Sequence, residues 1–263
     1  MTTNWDAASV LAASNVWAWV PDGAPHVRNA EYLVVAYPDW FITPTSARVF
    51  GSDRDATELA DEICGIARQW GRGRLWWRLS EFTRPSGLEP LLEERGATVV
   101  DRMDVLAMPI ADGVPHLPVP DDVQVRQVTD EQTVRDALAV GNDAFGGEDP
   151  SAEQVATSLA EVEAGLADGT GARWVAYLDG RPAGTGGYTL AEDVCRLWGG
   201  ATHSSLRGRG AYRAVLAERL AAARAAGATL ALTHGVVDTS SPILRRLGFT
   251  RYGEERVLVQ DLP

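Results

Sequence analysis

Residues 194–236 narrow the possible folds more than any other stretch of the chain. An apolar segment, VCRLWGGAT, leads through Arg207-Gly208-Arg209-Gly210 into AYRAVLAERLAAARAAG and then TLALTHG. Tyr212, Leu216 and Leu220 recur every four residues and mark one face of a helix, which Gly227 stops. The order is therefore strand, arginine- and glycine-rich loop, helix, strand. Glycines let the backbone come close to an anion, the free N–H groups of the first helical turn donate to it, and the helix dipole assists. Arginine adds charge-assisted contacts. The loop lacks both the lysine of a Walker A loop and the GxGxxG order of a dinucleotide fingerprint. The plain alternative is a tight turn with solvated arginines.

Upstream, residues 123–128 read as a strand. A helix capped by Thr129 runs to about Ala139 and is broken by GNDAFGGEDP; Ser151 opens another, to about Leu166. ARWVAYLDG ends in Asp179-Gly180, a tight hairpin turn, and the return strand and VCRLWGGAT complete an antiparallel meander. Before all this lies ADGVPHLPVPDD, whose three prolines deny backbone donors and favour an extended linker. The expected division is 1–110, a linker 111–121, and 122–263. The first part repeats the second: helix, glycine turn, strand, loop, the helix GLEPLLEERGA, and a closing strand. Residues 89–97 lie over 241–249 with Gly96 matching Gly248, an internal repeat. VFGSDRDATEL stands where the first copy would need its arginine–glycine loop.

Composition limits the partners. The chain has 36 acidic side chains against 24 basic ones, all arginine, and a net charge of −12. Such a chain repels phosphate backbones and anionic bilayers, so neither nucleic acid nor a membrane is expected as a partner. Without lysine there is no Schiff-base chemistry. Cys64 and Cys195 sit in apolar contexts and read as buried thiols in a reducing, cytoplasmic setting. His26, His116, His203 and His234 show no ligand spacing, so no metal is expected. The N-terminus has no signal-peptide pattern, and no apolar run is long enough to cross a bilayer. Seven of the nine tryptophans precede the linker (Trp5, Trp17, Trp19, Trp40, Trp70, Trp76 and Trp77), a load better suited to a core or an interdomain face than to a pocket.

With these residues in view, the second half resembles the GCN5-related N-acetyltransferase (GNAT) family. Its diphosphate loop has the form [Q/R]-x-x-G-x-[G/A], matched by Arg207 to Tyr212 except that Tyr212 fills the last place. SPILRRLGF resembles the terminal signature, with Gly248-Phe249 in place, but Leu244 stands where the family has tyrosine, Val237 for asparagine and Ser240 for alanine. The resemblance implies an α/β (α+β) fold, a mixed and mostly antiparallel sheet flanked by helices, in tandem with a degenerate N-terminal half. It implies acetyl-coenzyme A held by Arg207, Gly208, Arg209, Gly210, Ala211 and Tyr212, its thioester along Gly200, Ala201 and Thr202. It further implies direct transfer of acetyl to the amine of a small molecule, possibly cationic, by a monomer or homodimer.

A neutral amine must lose a proton, so a carboxylate is sought. Asp193 is the candidate base or amine anchor, with Glu192, Glu148 and Asp149 beside it; the last two lie where the family often forms its acceptor site. Tyr252 is the candidate acid for the thiolate, ahead of Thr239, Ser240 and Ser241, whose aliphatic hydroxyls are poor acids. Two other functions fit the same residues: a non-catalytic acyl-coenzyme A binding module, and acylation of a protein N-terminus or side chain.

Overall fold

A computed structural model describes residues 5–16 and 18–263; Trp17 lies outside the described residues. In chain order the elements are α1 (Ala7–Asn15), β1 (His26–Arg28), β2 (Tyr32–Ala36), β3 (Thr45–Val49), α2 (Ala56–Gln69), β4 (Arg74–Ser80), α3 (Leu88–Glu94) and β5 (Thr98–Pro109). After these come β6 (Val123–Gln127), α4 (Glu131–Phe145), α5 (Ala152–Asp168), β7 (Gly171–Leu178), β8 (Arg181–Ala191) and β9 (Val194–Thr202). The chain ends with α6 (Ala211–Ala225), β10 (Leu230–Val236), α7 (Ser240–Arg246) and β11 (Thr250–Asp261). Among the described residues no helix is long and apolar enough to cross a membrane.

The chain forms two compact units that do not follow its order simply. One unit, the loop-bearing one, takes Ala107–Thr233 and Leu247–Thr250 with Trp5 and Asp6; the companion unit takes the rest of the described residues up to Leu106, with His234–Arg246 and Arg251–Pro263.

In the loop-bearing unit β6, β7, β8 and β9 pair antiparallel in sequence, and β9 pairs parallel with β10. Asp179 (φ 51°) and Gly180 (φ 74°) make the β7–β8 turn, both residues in the left-handed region that a two-residue hairpin requires. One face of this sheet buries Val175 and Tyr177 with Val134, Ala137, Val155 and Val162 of α4 and α5. The other face receives α6, where Ala211 packs against Gly184 and Arg219 against Gly186.

Two details differ from the sequence reading. Asp130, not Thr129, caps α4: its carboxylate accepts from the Thr133 N–H at 2.8 Å, while the Thr133 hydroxyl accepts from the Asp130 N–H at 3.2 Å. And α4 continues through Gly141 to Phe145, stopping at Gly146 (φ 79°). Gly141 faces Arg173, whose Nη2 would lie in ordinary contact, 3.9 Å, from a Cβ placed there.

In the companion unit β1, β2 and β3 are antiparallel, β3 pairs parallel with β4, β4 pairs antiparallel with β11, and β5 follows. Leu59 and Ile63 of α2 and Leu88 and Leu92 of α3 pack on Tyr32, Leu75, Trp77 and Leu258. Trp77 is wholly buried and its indole N–H donates to Gln260 at 3.0 Å, so this tryptophan is core. Trp19 stacks on Tyr37 at 5.5 Å beside Phe41. The repeat read from the sequence is visible as topology: β3–α2–β4 and β9–α6–β10 are each a parallel strand pair joined through a helix, and each ladder has three residue pairs.

Charge is buried in this unit too. Glu255, 2% exposed, lies 2.6 Å from Arg48, 3.0 Å from Arg78 and 3.7 Å from His234, whose Nε2 is 2.9 Å from the Ser14 hydroxyl. Burial pushes the Glu255 carboxyl up, but the charges of Arg48, His234 and Arg78 outweigh it and hold it well below the carboxylate range. A depressed folded pKa means that the stability is present above the unfolded value of about 4.3 and is lost as pH falls toward the folded one. Glu255→Gln leaves the buried Arg48 and the half-buried Arg78 uncompensated, which is expected to cost about 3–5 kcal/mol at neutral pH and to flatten the acid limb of stability. Urea unfolding from about pH 7 to about pH 3 reads both effects.

Candidate functional site

The site is built around β9, whose two neighbours hold it differently. Toward β10 the ladder lasts from Val194↔Leu230 to Arg196↔Leu232, and the Thr233 hydroxyl makes a last link to the Leu197 carbonyl at 3.2 Å. Toward β8 the register slips: Thr185 faces Ala201 and Gly187 faces Trp198, so Gly199 and Gly200 stand against Gly186 alone. This is a β-bulge, with Gly199 at φ 59°, and both its glycines are exposed. The missing side chains make room for neighbours. A Cβ on Gly187 would lie 2.4 Å from the Trp198 ring, one on Gly186 2.8 Å from the Arg219 guanidinium carbon, and one on Gly200 3.0 Å from the Tyr212 ring.

Past the strand, Gly208 (φ 78°) and Gly210 (φ 88°) turn the chain into α6, and Gly210 caps the helix with no side chain. The first-turn N–H groups are thus left for an outside acceptor. Arg207 is exposed and makes no hydrogen bond or ion pair among the described residues. Arg209 is engaged: its guanidinium meets Asp179 at 3.2 Å and Asp122 at 3.1 Å. A Cβ on Gly210 would lie 2.6 Å from the Pro120 ring, so the proline-rich segment rests on this turn. Tyr212 packs under Gly200 and against Arg219. An uncapped helix end, two left-handed glycines and one unengaged arginine fit the diphosphate of a coenzyme A thioester.

The equivalent helix end in the companion unit is closed. Asp55 caps α2, its carboxylate accepting from the Thr57 N–H at 2.7 Å and the Glu58 N–H at 3.4 Å, and those donors lower its pKa, Thr57 foremost. A fixed anion already occupies the place where a phosphate would bind.

Beside the end of β9 opens a cleft of about 440 Å³, lined in part by Asn142, Asp143, Glu148, Asp149, Arg181 and His203. Asp143 accepts from the Ser204 N–H at 2.6 Å and its hydroxyl at 3.0 Å, with His203 3.7 Å away; the backbone donor chiefly holds its carboxyl low. Glu148 and Asp149 were expected near an acceptor. Asp143 and His203 were missed, because GNDAFGG reads as a helix break and the structure keeps Asp143 on the last turn of α4. Among the described residues no group of three or more His, Cys, Asp or Glu is arranged to hold a metal.

The structure does not bring Asp193 to the loop. It sits in the β8–β9 turn, where its carboxylate accepts from the Thr229 hydroxyl at 2.6 Å and its carbonyl from the Thr229 N–H at 2.8 Å. Six residues of extended strand separate it from Gly199, about 20 Å. The strand does lead toward the bulge, as expected, but from its far end. Tyr252 lies on β11, in the companion unit. Leu244, in the tyrosine place, is buried, and Ser241 donates to Asp104 at 2.5 Å. Cys195 is buried on β9 and burial pushes its thiol up to about 12, far from a nucleophile's range.

Residues 142–249 match the acetyltransferase (GNAT) family model. That match spans less than half of the chain, and the chain shares its fold with solved structures of GNAT proteins. A GCN5-related N-acetyltransferase from Kribbella flavida is similar over 90% of this chain and 89% of its own, with 22% identity and a TM-score of 0.63. Another, from Sphaerobacter thermophilus, is 16% identical over 88% and 81% of the two chains, with a TM-score of 0.64. A tandem GNAT protein from the clavulanic acid biosynthesis pathway, in a structure without AcCoA, is 18% identical over 97% and 88%, with a TM-score of 0.63. No curated protein matches the chain.

The bulge geometry carries its own prediction. Gly187→Ala drives a methyl into the Trp198 ring and is expected to cost about 1–3 kcal/mol in an unfolding titration.

Proposed function

We propose that the protein is an acetyl-coenzyme A-dependent N-acetyltransferase that acetylates the amine of a small, cationic molecule by direct transfer. The observation that carries this reading is the uncapped, glycine-led start of α6, directly after a strand that parts from its parallel neighbour and bulges at Gly199–Gly200. Arg207 and the first-turn N–H groups bind the diphosphate, and Gly200, Ala201 and Thr202 line the thioester. Gly208 and Gly210 let the backbone approach, Ala211 starts the helix, and Arg209 holds the turn to Asp122 and Asp179.

Glu148 and Asp149 hold the ammonium form of the acceptor in the cleft. Once neutral, its nitrogen forms a bond to the acyl carbon as the carbon–sulfur bond breaks. Sulfur leaves with the bonding pair, and the nitrogen's proton passes through water to a cleft carboxylate. The reaction takes place in the cytoplasm.

A second reading, an acyl-coenzyme A binding module without catalysis, is favoured by one observation: the buried Leu244 cannot protonate a thiolate. Thiol release over a panel of amines decides between them, since sustained release requires an enzyme. For binding, Arg207→Ala is expected to weaken coenzyme A about tenfold, and Gly210→Glu more, by placing a carboxylate at the helix start against Pro120. Arg209→Ala is expected to weaken it less, because that guanidinium is already shared between two carboxylates. Calorimetric titration with coenzyme A reads all three, and unchanged affinity in Arg207→Ala and Gly210→Glu rejects the loop assignment.

A further inference from the structure

Arg219 has the least expected environment in the loop-bearing unit. It lies on α6, 1% exposed, in a chain with an excess of acids, yet no carboxylate of the described residues is within ion-pair distance. Its Nη1 donates to the carbonyls of Gly187 and Trp198, each at 3.4 Å, at the point where the β8–β9 register slips. Among the described residues its Nε and Nη2 make no well-formed hydrogen bond, although the Tyr212 hydroxyl lies alongside and interacts with the guanidinium. The surroundings are cut to admit it: Gly186 has no side chain where a Cβ would strike the guanidinium, and a Cβ on Gly200 would stand 3.5 Å from Nη2. Tyr212 lies against it with the ring centroid 5.9 Å away.

Burying a guanidinium with unmet donors is costly, and a leucine or methionine would fill such a space more cheaply. Arg219 holds one residue of each strand where the bulge begins, and its charge lies directly behind Gly200. Burial lowers its pKa, and a guanidinium keeps its proton in proteins.

We propose that Arg219 is a positioning residue for acyl transfer: it fixes the Gly199–Gly200 bulge and places a buried positive charge behind the acyl oxygen received there. This rests on the reading that the bulge receives the thioester. A fixed charge in a water-poor setting polarises a carbonyl more than the same charge in water. Gly186, which is buried, and Gly200 both let the guanidinium come close beneath the strand, while only Gly200 is exposed to a ligand.

The test compares wild type with Arg219→Met, Arg219→Lys and Gly186→Ala, the last of which displaces the guanidinium without removing it. The readouts are coenzyme A affinity, thermal midpoint, the infrared carbonyl stretch of bound, isotope-labelled acetyl-coenzyme A, and amide exchange of residues 198–202 without ligand. In wild type the bound carbonyl stretch is expected to fall below its value in water. Arg219→Met and Gly186→Ala are expected to lose most of that shift, with coenzyme A affinity within about threefold of wild type, less than ~1 kcal/mol. Arg219→Lys keeps part of the shift, because it keeps the charge. Exchange over 198–202 rises in Arg219→Met.

A carbonyl stretch in Arg219→Met equal to wild type overturns the proposal. If that variant does not fold, an unaltered stretch in Gly186→Ala overturns it instead. Should wild type fail to bind acetyl-coenzyme A, the thioester reading itself is wrong. Unchanged exchange at 198–202 in Arg219→Met, or in Gly186→Ala if only that variant folds, then also removes Arg219 as the support of the bulge.

Discussion

β9 is paired on one side through a ladder that slips by a residue and on the other through only three pairs. A buried peptide group without a partner costs about 1–3 kcal/mol, so the second half of such a strand has to remain open to water or to a ligand. It does so at Gly199 and Gly200, which are exposed while Val194 to Leu197 are buried. The cleft beside His203 and the turn into α6 both follow from where this strand is released. A fully laddered β9 would bury the same residues and leave α6 beginning against a closed sheet.

The net charge of −12 describes the surface and not this region. Arg173, Arg196 and Arg219 are all buried here, and Arg173 and Arg219 cover opposite faces of the sheet. Arg173, under α4, donates to the Thr185 hydroxyl at 3.2 Å and to the Ala137 carbonyl at 3.1 Å, and burial pulls its pKa down to about 10. Trp198 lies under its guanidinium, with the ring centroid 5.7 Å away. Arg219 takes the opposite face. An acidic chain thus keeps positive charge inside, where low polarisability lengthens its reach. Arg207, exposed and in no ion pair among the described residues, is the arginine that leads the glycine turn.

Much of this was legible in the sequence, for identifiable reasons. The α6 repeat of Tyr212, Leu216 and Leu220 and the two glycines before it report local geometry, and local geometry is what periodicity and turn chemistry encode. The same holds for Asp179-Gly180 and Ser151. The end of α4 was not legible, because GNDAFGG reads locally as a break while the helix runs through Gly141 to Phe145. Asp193 stands one residue before β9, and sequence could show that the strand leads toward the bulge. It could not show that Thr229 captures its carboxylate, since that contact depends on the parallel return of β10. Nor does any pattern reveal that β11, the last strand in the chain, pairs with β4. Strand partners set by topology leave no period in the sequence.

The two helix starts, at α2 and α6, face the same physical problem, an uncompensated row of N–H donors. At α2 the answer is a covalent counter-ion: Asp55 travels with the chain and cannot dissociate. At α6 the answer has to come from solution. A molecule that binds there adds stability in proportion to the logarithm of its concentration, whereas nothing in solution can do so at the end that Asp55 closes. Of the two copies of one arrangement, one carries its counter-ion within the sequence, and the durability of the other is tied to the supply of what it binds.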